Sequence, residues 1–555
     1  MNKRFNKLIL SILFSVLISQ TLFAQLSEDK VTKIDSLFAS WDVPNHPGGS
    51  IGIMQDGKLV YSRAFGLASL EYLVPNTYDT QYNIASVSKQ FTAFGICLMQ
   101  LRGQLSVDDD IRKYLTELPE FKHVVTIRHM LHHTSGLRSL HTMLRLAGWR
   151  DDDSRTNEDL MRFMKKQRDL NFVPGSEYVY CNTGYIFMAE IIEKISGEEF
   201  TEWMDKNVFK PLGMYHTYVE RQYNHVVKNN ATSYDATGNG EFKREVEYWG
   251  YVGSGNIHTN VSDLLIWLEQ LRNPDAKWKD EMDLMKTTDN FNNGKHNKYA
   301  FGVNVDQYQN ENRITHGGSI GGYRSHVCTY PDRKFSIAIL TNFSSSNLAK
   351  KAEAITDIIL DKKPTEPRIK PFKLSNEQFD SYAGRYLLSD SSSKTLDVYR
   401  IGKSYFIEEY RQNKIKIIPV SKNKFVDDDK KLEISFHIGL DSALTIEYMN
   451  QQQWEGKRIK KFIADQQLLK EICGTYWSQE LETQYVIYLR DGKLMGHHAR
   501  HGEFSIRYVR DNEFNGKPSF FNFFKVERNK SGNITGIYVT NSRVRDLWFK
   551  NEEYI

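Results

Sequence analysis

At residues 361–373 the chain changes character. The stretch DKKPTEPRIKPFK carries three prolines and four lysines. Proline fixes φ and supplies no amide hydrogen, so neither a regular helix nor a paired strand runs through such a segment. It separates a part in which strands and helices alternate, ending in the apolar helical pattern AEAITDIIL, from a part that reads as strands alone. A chain of 555 residues also exceeds what one hydrophobic core supports, so two to four domains are expected. With 40% hydrophobic and 13% aromatic residues there is enough apolar surface to fill them.

The part after the break repeats itself. Segments such as LDVYRIGKSYFIEEY and YVIYLRDGKLMGHH alternate apolar and polar positions and turn at Gly-Lys pairs, the pattern of hairpins. Tyr382 to Tyr386 (YAGRY) matches Ile472 to Tyr476 (ICGTY), and Gly402-Lys403 matches Gly492-Lys493, both at one offset of 90 residues. Two copies of a small antiparallel unit are expected, and closure into a barrel removes the exposed edges of each. The expected boundaries are 25–360 for the first domain, 361–375 for the linker, and 376–464 and 465–555 for the two barrels.

Residues 1–24 form a separate object. Lys3, Arg4 and Lys7 precede an apolar run from Leu8 to Phe23, and Ala24 offers a small residue for cleavage, the pattern of a secretory signal peptide. The run is short and broken by Ser11, Ser15, Ser19, Gln20 and Thr21, which argues against a retained anchor. Cleavage would remove three cations and lower the formal +4 to about +1. An exported, periplasmic or secreted bacterial protein without affinity for nucleic acid is expected. Cys97, Cys181, Cys328 and Cys473 are scattered, with neither close pairs nor metal-ligand spacing, so neither a disulfide scaffold nor a metal or cofactor site is expected.

In the first part, GGSIGIMQDGKLVYSRAFG reads as two strands turning at Asp56-Gly57. KQFTAFGICLMQLRG reads as a helix that Gly103 ends. Ser86 falls where loop becomes helix, and Lys89 lies three positions on, on the same face. First-turn amides point outward there and favour developing negative charge. Ser27/Lys30, Ser391/Lys394 and Ser421/Lys424 share the spacing but lie in solvated polar runs. Downstream come Tyr180-Cys181-Asn182 in PGSEYVYCNTGYIFMAEII and His316-Gly317-Gly318 in ITHGGSIGGYRSHVCTYPD.

With TIRHMLHHTSGL and GSGNIHTNVSDLLIW between and around them, these blocks resemble the penicillin-recognising serine hydrolases, in their class C β-lactamase-like branch, over residues 45–360. The resemblance implies an α/β domain: an antiparallel sheet flanked by helices, plus a helical subdomain. It implies Ser86 as nucleophile, Lys89 as its partner, Tyr180 and Asn182 from the helical side, and His316 and Gly318 on the opposite wall. The oxyanion would be held by the backbone N–H groups of Ser86 and Ser319.

A serine hydroxyl needs its proton taken during attack, and Lys89 or Tyr180 could take it once its ordinary pKa, near 10, is lowered. A tyrosinate held by Lys89 is the favoured model, with Tyr180 returning the proton to the leaving group. The plainer readings are a packed aromatic at Tyr180, a helix cap at Asn182 and a satisfied strand histidine at 316; His132 and His133 read as structural. A lysine stands at the His316 position in most β-lactamases, so the histidine points away from antibiotic resistance. An unperturbed imidazole there would titrate between about pH 5.5 and 7.5. D-aminopeptidases of this family also carry two eight-stranded barrels, with a loop of the last reaching the active site. In this chain GHHARHGEF (Gly496 to Phe504) is the expected contact, against a solvated hairpin tip or a metal site. The expected function is an exported serine hydrolase acting on a small amide, ester or D-amino-acid peptide. A carboxylesterase, a β-lactamase or a non-hydrolytic penicillin-binding sensor are the alternatives.

Overall fold

The computed structural model describes residues 26–362, 369–388, 395–409, 414–428, 432–437, 443–448, 452–460 and 464–553. The expected signal segment and most of the proline-rich linker lie outside the described residues.

Six antiparallel strands form the central sheet: β1 (Gly49–Gln55), β2 (Lys58–Phe65), β3 (Asn304–Tyr308), β4 (Glu311–Ile320), β5 (Tyr323–Tyr330) and β6 (Phe335–Thr341). They lie in the order β3-β4-β5-β6-β1-β2. The β1–β2 hairpin turns at Asp56 (φ 50°) and Gly57 (φ 74°), the double positive φ of the tight turn that Asp-Gly predicts. The main helices are α1 (Glu28–Ser36), α2 (Ser88–Leu101), α3 (Leu140–Leu146), α4 (Asn182–Ser196), α5 (Val261–Arg272) and α6 (Leu348–Ile359).

Every residue of β6 is buried, because helices cover both faces of the sheet. Ile337 and Ile339 enter one core with Ile34 of α1 and Ile355 and Ile359 of α6. The alternate residues Ala338 and Leu340 enter the other with Val261, Leu264, Leu265 and Leu268 of α5. A β-carbon at Gly52 of β1 would overlap Val261 and Leu265, so its absence lets α5 lie against the sheet. Helix α2 is buried from Ser88 through Met99. A helix enclosed all round belongs to the inside of a domain, and α2 spans the join between the sheet and the helical subdomain that contains α3 and α4.

Two closed eight-stranded barrels follow, from Gly384–Leu388 to Gln452–Ile459 and from Gly474–Ser478 to Leu547–Asn551. The repeated residues do the same local work in each. The Tyr386 hydroxyl donates to Tyr382 O (2.7 Å) and the Tyr476 hydroxyl to Ile472 O (2.9 Å), while Gly402 and Gly492 turn at φ 60° and 70°. The second barrel shares a continuous apolar core with the catalytic part, and its Tyr485 hydroxyl donates to Leu146 O at 2.9 Å. The first barrel has its own core and joins the second through Arg507–Asp397 (2.8 Å) and a Thr395–Asn515 hydrogen bond (2.7 Å). All four cysteines are free, and among the described residues no helix is long and apolar enough to cross a membrane.

Candidate active site

Ser86 sits in a strained elbow. The chain leaves the short strand Tyr82–Asn83, turns through Ala85–Val87 and enters α2 at Ser88. Ala85 adopts φ 50°, the left-handed region in which a β-carbon costs about 1–2 kcal/mol. The surroundings hold it there. Asn83 Oδ1 accepts from Ala85 N (2.9 Å), Asn83 Nδ2 donates to Asn256 Oδ1 (3.1 Å), and Ser325 Oγ donates to Ile84 O (2.7 Å). A β-carbon at Gly318 of β4 would overlap Ile84 O and Ser325 Oγ, so glycine is required where β4 meets the elbow.

Lys89 Nζ lies 3.2 Å from Ser86 Oγ and donates to Ser254 O at 2.6 Å. It is wholly buried and forms no ion pair among the described residues. Burial, and then the Arg543 cation, hold its pKa well below the usual lysine range. The Tyr180 ring centroid is 5.0 Å from Nζ. Burial raises the Tyr180 phenol, and the nearby Ser86 hydroxyl and Arg543 offset only part of that. Desolvation penalises whichever form is charged, so the same dry space favours a neutral amine and a neutral phenol. The tyrosinate model meets a phenol that burial raises, whereas the amine is shifted toward its basic form. Of the two groups, Lys89 is poised as the base.

Three buried polar atoms facing the cleft, Tyr180 Oη, Asn182 Oδ1 and Ser254 Oγ, have no hydrogen-bond partner among the described residues. Such atoms are uncommon in a folded interior, and here all three residues line the cleft that Ser86 lines. Asn182 is the first residue of α4, whose N-cap is Cys181, so its side chain does not cap the helix.

His316 lies on β4, with Nδ1 donating to Gly317 O (2.7 Å) and Nε2 accepting from the Tyr299 hydroxyl (2.9 Å). Burial, then the neighbouring Lys89, lowers it to about 4. It is therefore neutral at pH 7, which corrects the expectation of a titration between pH 5.5 and 7.5. His132 and His133, expected to be structural, each bond the backbone through Nδ1, while the buried Nε2 of each has no hydrogen-bond partner among the described residues. His132 Nδ1 donates to Tyr299 O (2.7 Å), and His133 Nδ1 accepts from Cys181 N (3.1 Å) beneath the Tyr180 ring.

Ser86, Tyr180, Asn182, His316, Gly318 and Ser319 line one cleft of about 900 Å³. The second barrel reaches it, but not through GHHARHGEF. That segment docks on the helical subdomain: Arg500 pairs with Asp153 (2.6 Å) and His501 Nε2 donates to Arg145 O (2.7 Å), while His498 bonds Thr483 (2.8 Å) within the barrel. Among the described residues no group of three metal-ligating side chains occurs there or elsewhere. The residue that enters the cleft is Arg543, from the loop joining strands Ile534–Thr540 and Leu547–Asn551. Sequence reading missed it, along with Ser254 and Tyr299. Ser254 at least lies in the GSGN block singled out above; the segment around Arg543 carried no signal.

The fold and the site define a serine hydrolase of the penicillin-recognising kind. The chain belongs to the Beta-lactamase family, whose model matches residues 35–360. Penicillin-binding protein 4* of Bacillus subtilis (strain 168) is 26% identical over 456 residues, 78% of this chain and 100% of that protein. The octameric penicillin-binding protein homologue from Pyrococcus abyssi covers 77% of this chain and 100% of its own, at 25% identity and a TM-score of 0.56. D-amino acid amidase from Ochrobactrum anthropi SV3 shares the fold over 60% of this chain and 99% of its own, with 20% identity and a TM-score of 0.51.

Proposed function

We propose that the chain is an exported serine hydrolase that cleaves a small amide, ester or D-amino-acid peptide through an acyl-enzyme on Ser86. Ser86 Oγ attacks the carbonyl carbon while its proton passes to the neutral Lys89 amine. The oxyanion accepts from the backbone N–H groups of Ser86 and Ser319. The tetrahedral adduct collapses, the carbon–leaving-group bond breaks, and the protonated Lys89 returns its proton to the departing atom, directly or by relay through the neutral Tyr180 phenol, which leaves Lys89 neutral again. Water then enters by the reverse sequence, with Lys89 again the base, and releases the acid. Asn182 and the neutral His316 hold the substrate from opposite walls. Export rests on the pattern of residues 1–24.

The observation that carries this reading is the wholly buried Lys89 amine 3.2 Å from Ser86 Oγ, its pKa lowered by burial, among polar atoms that lack partners. A purely structural protein has no use for that arrangement, which costs stability. Intact-mass analysis after reaction with an activated phosphonate tests it. One adduct is expected, on the peptide containing Ser86 and absent in Ser86→Ala; labelling that persists in Ser86→Ala sinks the assignment. A panel of D- and L-alanine nitroanilides, short nitrophenyl esters, an acyl-D-Ala-D-Ala peptide and a chromogenic cephalosporin separates the substrate classes.

A further inference from the structure

We propose that Arg543, carried into the cleft by the second barrel, reads a carboxylate of the substrate beside the scissile bond. This deepens the hydrolase reading above and rests on it.

The first observation is how firmly the loop is held. Arg138, almost fully buried and paired with Glu480 at 2.7 Å, donates to Arg545 O (2.9 Å) and Asp546 O (3.4 Å). Asn171 Nδ2 donates to Arg543 O (3.0 Å) and its Oδ1 accepts from Arg545 N (2.8 Å). Ser139 N donates to Arg543 O (3.2 Å), and Arg545 grips Glu177 with both terminal nitrogens (3.1 and 2.9 Å). Glu177 lies in the loop that delivers Tyr180. The backbone at 543–546 is therefore fixed to the catalytic part from three sides, as a residue meant to meet a substrate requires.

The second observation is what Arg543 itself touches. Its guanidinium lies over the Tyr180 ring, 5.5 Å from the centroid, and makes no hydrogen bond or ion pair among the described residues. The other arginines of the cleft are occupied. Arg145 and Arg155 share Asp151, and Arg324 donates to Gly321 O and Tyr323 O. Among the described residues no aspartate or glutamate lines the cleft. A planar cation with five donors, half-exposed and unmatched, fits a carboxylate in a two-point grip. Arg543 and Lys89 both lie over the Tyr180 ring, 5.5 and 5.0 Å from its centroid, and Arg543 shares the cleft with Ser86, so the bound acid would lie beside the reacting groups. A free substrate amine in the same place would meet only cations, so the cleft selects a substrate with an acid there and rejects one with a free amine.

The test uses the full chain and matched esters. One set shares an acyl group and departs as 3-hydroxybenzoate, 3-hydroxybenzamide or 3-(aminomethyl)phenol; a second compares the nitrophenyl hemisuccinate with nitrophenyl butyrate. In at least one set the parent should prefer the acid over the neutral ester by about 10- to 100-fold in kcat/KM, the range of a hydrogen bond to a charged group. The amine ester should be slowest. Arg543→Gln should bring the ratio close to one, and Arg543→Lys should keep part of it. Ratios within one variant cancel any change in Lys89. The absence of acid preference in both sets, or a preference that Arg543→Gln leaves intact, overturns the proposal. Phosphonate labelling of Ser86 in the same variants separates this from failure of the parent reading: a parent that does not label at Ser86 refutes the hydrolase assignment, whereas a labelled Arg543→Gln with unchanged ratios refutes the role of Arg543 alone.

Discussion

Acidification from pH 7.5 to 5.0 should destabilise the catalytic domain, and three histidines set against Glu247 account for about 3.5 kcal/mol of the loss. Burial lowers His258 and His326 to about 3, with Arg313 and His316 adding to the effect at His326, and lowers His316 to about 4. All three are buried on the sheet or beside it. In the unfolded chain each titrates near 6.5. As pH falls below 6.5 the unfolded state takes up protons that the folded state refuses, so stability present above that pH is lost on the way down to the folded values. At pH 5.0 each histidine accounts for about 2 kcal/mol, and the three for about 6. Glu247 acts in the opposite sense. Its burial, partly offset by a hydrogen bond from Ser233, raises it to about 7, so the folded state gains a proton first and regains about 2.5 kcal/mol by pH 5.0. His133 and His141, lowered well below 6.5 by burial and nearby cations, enlarge the loss. Urea unfolding followed by tryptophan fluorescence at half-unit pH steps measures this, since carboxylates that titrate near 4 contribute little above pH 5. His326→Gln should flatten the slope between pH 5 and 6 by about one proton. A stability unchanged across the window, or a slope untouched by His326→Gln, would show that these imidazoles are not held neutral.

Removing the amine in Lys89→Met should lower the acylation rate by at least about 1,000-fold, while Tyr180→Phe, which removes a neutral proton donor, should cost about 100-fold. Pre-steady-state bursts with a nitrophenyl ester separate the two, and equal losses would return the phenol to the role of base. Gly318→Ala forces a methyl group against Ile84 O and Ser325 Oγ, so it should displace the elbow and lower kcat more than it raises KM. Steady-state kinetics with thermal melting check this, and a fully active, normally melting variant would show that β4 does not support Ser86.

Much of the architecture was legible because it depends on local pattern. The Asp56-Gly57 turn, the helix ended by Gly103 and the two barrels follow from residues within a few positions of one another, or from a plain repeat. Ser86 and Lys89 were legible for the same reason, being one turn apart. The protonation states were not, because desolvation comes from segments distant in sequence; nothing near Lys89 in sequence announces that Ser254, Tyr180 and Arg543 enclose it. The barrel contact was misread on similar grounds. GHHARHGEF drew notice for its polar density, yet Asp153, Thr483 and the Arg145 carbonyl absorb its groups. The arginine that reaches the cleft sits in NSRVRD, an ordinary polar turn until Arg138 and Asn171 fix it.

The acid sensitivity and the chemistry have one source. Lys89 is held toward its uncharged form because it is wholly buried and bonded to no carboxylate among the described residues, and Arg543 adds a cation that a protonated amine would have to oppose. A carboxylate placed against Lys89 would restore its charge and spend the base. The cleft therefore has to exclude acidic side chains, and in doing so it becomes a place where a substrate acid is the one anion available to Arg543. Binding that acid would partly neutralise Arg543 and ease proton uptake by Lys89 at the moment Ser86 attacks, so recognition and base strength would rise together. Burial likewise holds His316 and His326 below the ordinary imidazole range, so they take up protons only at a cost in stability. On this account a hydrolase built around an uncharged lysine loses stability in acid for the reason that it works at neutral pH.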